Sequence, residues 1–205
     1  ALSHNNLLFG IIAIFVYVGV EVGIPNIANL YMTSGAEHGG LGIATGTAGT
    51  IVGLYWLLML CGRLVGGALG GKISSKHMMT GVSSVAILLV ILGIFIPESA
   101  VISLGTLADG AVVPVKILCF VLCGLCTSVM WGSIFNLAVE GLGKYTSIAS
   151  GVFMVMVCGG GILPYFQGLL ADVTSFVSSY WLIVVALGYM LCYTLFLSTP
   201  SPVEE

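Results

Sequence analysis

Glu21 stands in the middle of a long apolar run, where an ionisable side chain is costly. It lies about 14 residues into a helix of about 25, near the midplane of a bilayer at roughly 1.5 Å of rise per residue. A carboxylate at that depth costs at least ~2.5–3.5 kcal/mol on insertion scales. Such a group faces a cavity, pairs with a cation or keeps its proton. Pro25 follows one turn later, and its missing N–H leaves the carbonyl of Glu21 without a helical donor. Gly19 and Gly23 weaken the same turn, and the amides of Asn26 and Asn29 come next. A carboxylate, a freed carbonyl and two amides on one stretch form the interrupted-helix pattern of a solute-binding site in a membrane. Two readings stay open: a substrate or proton role, and a structural ion pair.

Arg63 is the cation available for such a pair. It lies about 13 Å along its helix from Lys72, which marks an expected membrane surface. Its side chain is long enough to snorkel there or to reach a neighbouring helix, so a structural or gating role is expected rather than direct substrate contact. Glu140 precedes Lys144 by one turn at a helix end, either as an interfacial pair or as a contact broken during gating. Ser133 and Asn136 share a helical face with Trp131 nearby. An amide and an indole bind a sugar through its hydroxyls and the C–H face of its ring, although a buried Asn equally bonds a neighbouring helix. Further on, Gly159-Gly160-Gly161 precedes Pro164, which frees the carbonyl of Gly160, and Gln167 lies one turn beyond. This flexible stretch is a counterpart to the break expected at Pro25.

Catalytic chemistry has little support. The sequence contains no His-Glu-x-x-His and no glycine-rich loop ending in Lys-Ser or Lys-Thr. His4, His38 and His77 all fall in termini or loops, so no enzyme and no cofactor are expected. Cys119, Cys123 and Cys126 share one face, but no His joins them and thiolates are costly in lipid, so they are expected to be packing residues rather than a metal site. No disulfide is expected among the six cysteines.

The elements that position these residues follow from composition. Apolar residues make up 59% of the chain and charged residues 6%, against about 25% in a soluble domain. Such a chain cannot cover itself with solvated groups, and lipid is its expected surroundings. Its few bases form no patch that could neutralise a row of phosphates, which excludes a nucleic-acid binder. A helix needs about 20 apolar residues to cross the hydrocarbon, and that ruler predicts spans at 7–31, 48–71, 77–97, 114–140, 146–170 and 174–198. The expected fold is all-α and polytopic, over a single six-helix domain at 1–205.

Lys72, Lys76 and Lys144 fall in alternate loops on one side, while Glu37, Glu98, Asp109 and Asp172 lie opposite with Lys116. Positive residues collect on the cytoplasmic side, so both termini are expected there. The long connection before Pro114 splits the chain into three helices plus three, the arrangement of a 3+3 inverted repeat. Gly62, Gly66 and Gly70 recur on the second span, a stripe that admits close approach of another helix. Ala1 opens the chain without a charged segment before the first apolar run, so no signal peptide is expected and the chain reads as part of something longer.

These residues resemble a known group. Phe15-Val16-Tyr17-Val18-Gly19-Val20-Glu21-Val22-Gly23 is similar to the seventh helix of the fucose–proton symporter family, a branch of the major facilitator superfamily that includes bacterial glucose/galactose transporters. Gly62-Arg63-Leu64-Val65-Gly66-Gly67 resembles its eighth helix. Ser133-Ile134-Phe135-Asn136-Leu137-Ala138 with Gly141-Leu142-Gly143-Lys144-Tyr145-Thr146 resembles the end of its tenth. Gly159-Gly160-Gly161-Ile162-Leu163-Pro164, then Gly168-Leu169-Leu170-Ala171-Asp172, resembles its eleventh. The resemblance implies the C-terminal half of a twelve-helix secondary transporter in a bacterial inner membrane. Its cargo would be a hexose or deoxyhexose carried with a proton, and its partner a missing N-terminal half or a second copy of this chain. The family's proton-coupling carboxylates lie mainly in the other half, so Glu21 is a site candidate and not a proton carrier by analogy. Gly67-Ala68-Leu69-Gly70-Gly71-Lys72 departs from the superfamily's loop motif in lacking its acid, and Asn26, Asn29 and Trp131 are individual to this sequence. The competing expectations are a non-transporting membrane assembly or channel subunit, and a major facilitator transporter of a non-sugar solute.

Overall fold

The computed structural model describes residues 5–108 and 110–198, without the side chains of Asn5, Leu107 and Lys144. His4 and Asp109 lie outside the described residues. The described residues form eight α-helices: α1 (Asn5–Thr33), α2 (Thr45–Leu69), α3 (Ser75–Phe95), α4 (Val115–Thr127), α5 (Met130–Val139), α6 (Thr146–Met156), α7 (Gly159–Val173) and α8 (Tyr180–Cys192). They assemble six spans long and apolar enough to cross a membrane, because α4 runs on into α5, α6 into α7, and α8 into a π-turn ending at Leu197. The protein is an all-α, multi-pass membrane protein.

α1 is the hub. Its apolar residues are spread around most of its circumference, so it needs neighbours on most sides. Ile14, Tyr17, Ile24, Ile27 and Tyr31 are all essentially inaccessible, and α2, α4, α5, α6, α7 and α8 all pack against it. Polar tethers fix its height in the bundle. Asn6 Nδ2 donates to the carbonyl of Leu137 at 2.7 Å, Tyr189 to that of Phe9 at 3.1 Å and Tyr180 to that of Ile24 at 2.7 Å. Tyr180 also stacks on Phe120 with ring centroids 3.8 Å apart, which joins α8 to α4. The outer faces carry Leu64, Leu88, Phe95, Val173 and Phe196, an apolar surface suited to lipid.

Three local features differ from the sequence expectation. The fourth span is not one continuous helix: it breaks at Ser128–Val129. The carbonyls there are taken by hydroxyls, Ser128 Oγ donating to Leu125 at 2.5 Å and Tyr17 to Thr127 at 3.1 Å, and the ladder resumes with Ser133 N donating to Val129 at 3.1 Å. The fifth span breaks at Val157–Cys158, just before the three glycines, while α7 runs on through Pro164. The connection at 97–114 contains a small antiparallel hairpin, β1 (Val101–Ser103) with β2 (Val112–Pro114), where the sequence predicts only a long connection.

That hairpin lies at the end of the bundle away from the termini, next to a polar clasp. Tyr31 donates to Glu98 Oε1 at 2.7 Å, and buried Lys116 approaches the same oxygen at 3.7 Å. At the opposite end Ser74 caps α3, accepting from His77 N at 3.4 Å, so that helix starts two residues earlier than expected and takes in Lys76 and His77.

The glycine stripe on α2 is split in use. A Cβ at Gly62 would collide with Ser128, and one at Gly66 with Val129, so these two glycines let α2 press on the break in the fourth span. Gly67 and Gly71 face open space.

Candidate functional site

Glu21 is bonded from its own helix and from α2. Its carboxylate accepts from Arg63 Nη2 on α2 and from the Tyr17 hydroxyl one turn earlier on α1, both at 2.8 Å on Oε1. The Glu21 side chain is 13% exposed and that of Arg63 is 53% exposed, so the pair has one sealed and one open side. An ion pair with this geometry answers the desolvation cost of a midplane carboxylate, and removing either member leaves the other charge uncompensated.

The sequence predicts a break at Pro25, but α1 runs through it to Thr33. The carbonyl of Glu21 that Pro25 frees is not left for a ligand either. Tyr55 on α2 donates to it at 3.0 Å and also lies 3.1 Å from Thr127 Oγ1. A buried hydroxyl thus supplies the hydrogen bond that the proline cannot, and the helix keeps its course. Thr127 in turn bonds back to the carbonyls of Cys123 and Gly124, each at 3.2 Å. Arg63, Glu21, Tyr17, Tyr55 and Thr127 form one connected network from the open flank into the core.

The two amides expected beside Glu21 do not join it. Asn26 is exposed and Asn29 half-buried. Five residues of helix turn Asn26 roughly 140° from Glu21, and eight residues carry Asn29 about 12 Å further along the axis. Continuity of α1 through Pro25 is the reason, since a broken helix would not have kept that rotation.

Trp131 does sit at the network, edge-on to Tyr17 with ring centroids 6.1 Å apart. Ser133 and Asn136, further along α5, line a cleft of about 270 Å³ together with Arg63, Gly66, Gly67 and Gly70. Asn136 Nδ2 also lies 3.4 Å from Ser75 Oγ at the start of α3, so it marks the terminal end of that cleft. A second hollow of about 480 Å³ beyond it is lined by Ser74, Lys76, Asn136, Glu140 and Ser198. Glu140 is exposed there, and its expected partner Lys144 has no described side chain. Gln167 lies apart from the cleft, fully buried on α7, with its Oε1 against Gly23 of α1 and with neither amide atom bonded. Pro164 is buried one turn before it. Cys119, Cys123 and Cys126 are buried on α4, and the Cys123 thiol donates to the Cys119 carbonyl at 3.3 Å.

Sequence reasoning singled out Glu21, Arg63 and Trp131 but gave no role to Tyr17, Tyr55 or Thr127. Tyr17 was within reach, because it lies one turn from Glu21 and shares its face. Nothing local in the sequence points from Tyr55 or Thr127 to Glu21.

No protein-family model matches the chain. A glucose/galactose transporter of Brucella abortus is 29% identical over 205 residues, which cover 95% of this chain and 43% of that protein. A relative in Helicobacter pylori is 30% identical over 199 residues, covering 93% and 42%. Among solved structures, the Escherichia coli fucose:proton symporter FucP superposes with a TM-score of 0.78 at 18% identity, covering 96% of this chain and 43% of that one. A peptide transporter superposes with a TM-score of 0.75 at 16% identity, covering 92% and 37%. The chain therefore has the fold of half a major facilitator superfamily transporter, and it spans under half the length of the curated relatives that it matches.

Proposed function

We propose that this chain is the C-terminal half of a proton-coupled monosaccharide symporter that works by alternating access, with a hexose or deoxyhexose as cargo. The observation that carries the reading is the Glu21–Arg63 pair: a carboxylate midway through the hub helix, bonded to a guanidinium at 2.8 Å and open on one flank. A purely structural bundle gains nothing from placing that pair where desolvation is most costly. The likeness to glucose/galactose transporters along nearly the whole chain supports a sugar as the solute.

In this reading Glu21 holds Arg63 while ionised. A proton on Glu21, or a sugar hydroxyl that competes for either partner, releases the pair and lets the two halves rock. Trp131 and Asn136 on α5 receive the sugar ring and its hydroxyls. Pro164 and Gln167 belong to the α7 segment that flexes. Glu140 is a gating contact at the terminal end. Positive residues at Lys72, Lys76 and Lys144 favour a bacterial inner-membrane protein with both termini in the cytoplasm. The other half is supplied by an N-terminal domain or by a second copy of this chain.

The test is uptake of a panel of labelled monosaccharides by the full-length parent in vesicles under an imposed proton gradient. Accumulation of one sugar, with coupling lost in Glu21→Gln, is the expected result. Failure of every sugar in the panel to accumulate overturns the sugar reading. Coupled uptake by Glu21→Gln equal to wild type makes the pair structural.

A further inference from the structure

The Tyr17 hydroxyl has one proton and two claimants. Glu21 Oε1 lies 2.8 Å from it on one side and the Thr127 carbonyl 3.1 Å on the other. Tyr17 is completely buried, so no solvent can serve whichever acceptor is left out. The first acceptor belongs to the ion pair on the open flank. The second is the last carbonyl of α4, at the break that sets the direction of α5. From these facts the geometry points to Tyr17 as the positioning residue that couples the state of the Glu21 carboxylate to the hinge at Ser128–Val129.

The coupling follows from competition for one proton. An ionised carboxylate outbids a neutral carbonyl, because a hydrogen bond to a charged acceptor is about twice as strong. With the Glu21–Arg63 pair formed, as here, the carboxylate takes the larger share of the Tyr17 proton, the Thr127 carbonyl the smaller, and the fourth span is broken at Ser128–Val129. When Glu21 is neutralised, the claim of the carboxylate weakens and Tyr17 gives its proton wholly to Thr127, which pulls the end of α4 toward α1 and shifts the hinge. α5 is the arm that this hinge moves. It carries Ser133 and Asn136 at the cleft, and Trp131 rests edge-on against Tyr17 itself. Gly62 and Gly66 bring α2, the helix that carries Arg63, directly onto the same two hinge residues.

The ionisable groups around this switch are Arg63 and Tyr55 on α2, Tyr17 on α1, and the thiols of Cys123 and Cys126 near Tyr55 on α4. Only Arg63 carries a charge opposite to Glu21. Tyr55 bonds the Glu21 backbone carbonyl and the Thr127 hydroxyl, so it holds α1, α2 and α4 in register without competing for the Tyr17 proton.

The inference rests on the transport reading, and its test separates the two. Proton-driven uptake is measured against pH in vesicles for wild type, Tyr17→Phe, Glu21→Gln and the double variant. Tyr17→Phe removes the donor that the carboxylate and the hinge carbonyl share, and the pH midpoint of uptake is expected to differ from that of wild type by about one unit. In the Glu21→Gln background the same change is expected to add no further loss. An unshifted midpoint, or effects of the two variants that simply multiply, overturns the coupling while leaving transport intact. No uptake by wild type overturns the transport reading and the coupling with it. An independent readout covers the case in which Tyr17→Phe folds poorly. Gly132 lies just past the hinge with open space at its Cβ position, so Gly132→Cys is tolerated. Its maleimide labelling in the intact protein, read at that site by mass spectrometry, is expected to differ at least about threefold between Glu21 and Glu21→Gln backgrounds. Equal labelling overturns the proposal.

Discussion

Tyr55 is a hydroxyl recruited to mend a defect that Pro25 makes. It reaches across from α2 to the Glu21 carbonyl at 3.0 Å, the group that a proline at position 25 leaves without its helical donor. Tyr55→Phe is expected to destabilise the protein by about 1–3 kcal/mol, the cost of an unmet buried carbonyl. Pro25→Ala restores the missing N–H, and in that background the same substitution is expected to cost less than about 1 kcal/mol. Chemical denaturation of the four variants in detergent checks this, and equal costs in both backgrounds would refute the mending role. Gln167 presents the reverse case, a fully buried amide with neither atom bonded. Gln167→Leu keeps its volume and removes the orphaned groups, so thermal stability is expected to rise by about 1–3 kcal/mol. If uptake falls at the same time, the amide finds its partner in another state of the transport cycle.

At the scale of elements, the bundle depends on close approaches at a few backbone positions. α7 meets α1 where Gly159 lies directly against the Phe15 carbonyl, with no room for a Cβ. Gly159→Ala is expected to lower stability by about 1–3 kcal/mol through overpacking, whereas Gly168→Ala on the same helix, with nothing within 4 Å of its Cβ position, is expected to be neutral or slightly stabilising. Equal effects at the two sites would mean that α7 does not sit against α1 as described. Breaks in the fourth and fifth spans give both arms of the bundle a joint near mid-membrane. Neither break falls on a proline, so inspection of Pro25, Pro114 and Pro164 did not locate them.

As a whole molecule, the chain has the fold of half a transporter and spans under half the length of the curated relatives that it matches. Its hub helix is mostly buried, yet α2 and the α6–α7 span present much of their length outward, including Leu64, Val155, Tyr165 and Val173 with Arg63 among them. Some of that surface suits lipid, and the strip carrying small and polar groups suits another half. The isolated chain is therefore expected to associate in detergent, and co-production with the missing half to give one defined one-to-one complex. Light scattering decides this: a monodisperse monomer of the lone chain would count against an exposed mating face.

The sequence by itself determined the class of the protein and where its one costly carboxylate lies. Those conclusions depend on quantities summed along the chain, such as apolar length against bilayer thickness and the number of charges available for solvation. They survive without knowledge of which helix meets which. Arg63 could be named as partner to Glu21 for the same reason, because few cations exist to choose from. What only the tertiary structure decided is how the remaining polar groups are shared out. Tyr55 takes the carbonyl that Pro25 freed, Tyr17 stands between a carboxylate and a hinge, and Asn26 and Asn29 turn away from both. Each of those outcomes depends on a rotation of one helix against another by a fraction of a turn. Such a rotation is set by the packing of glycines and side chains across helices, and no local pattern along the chain encodes it.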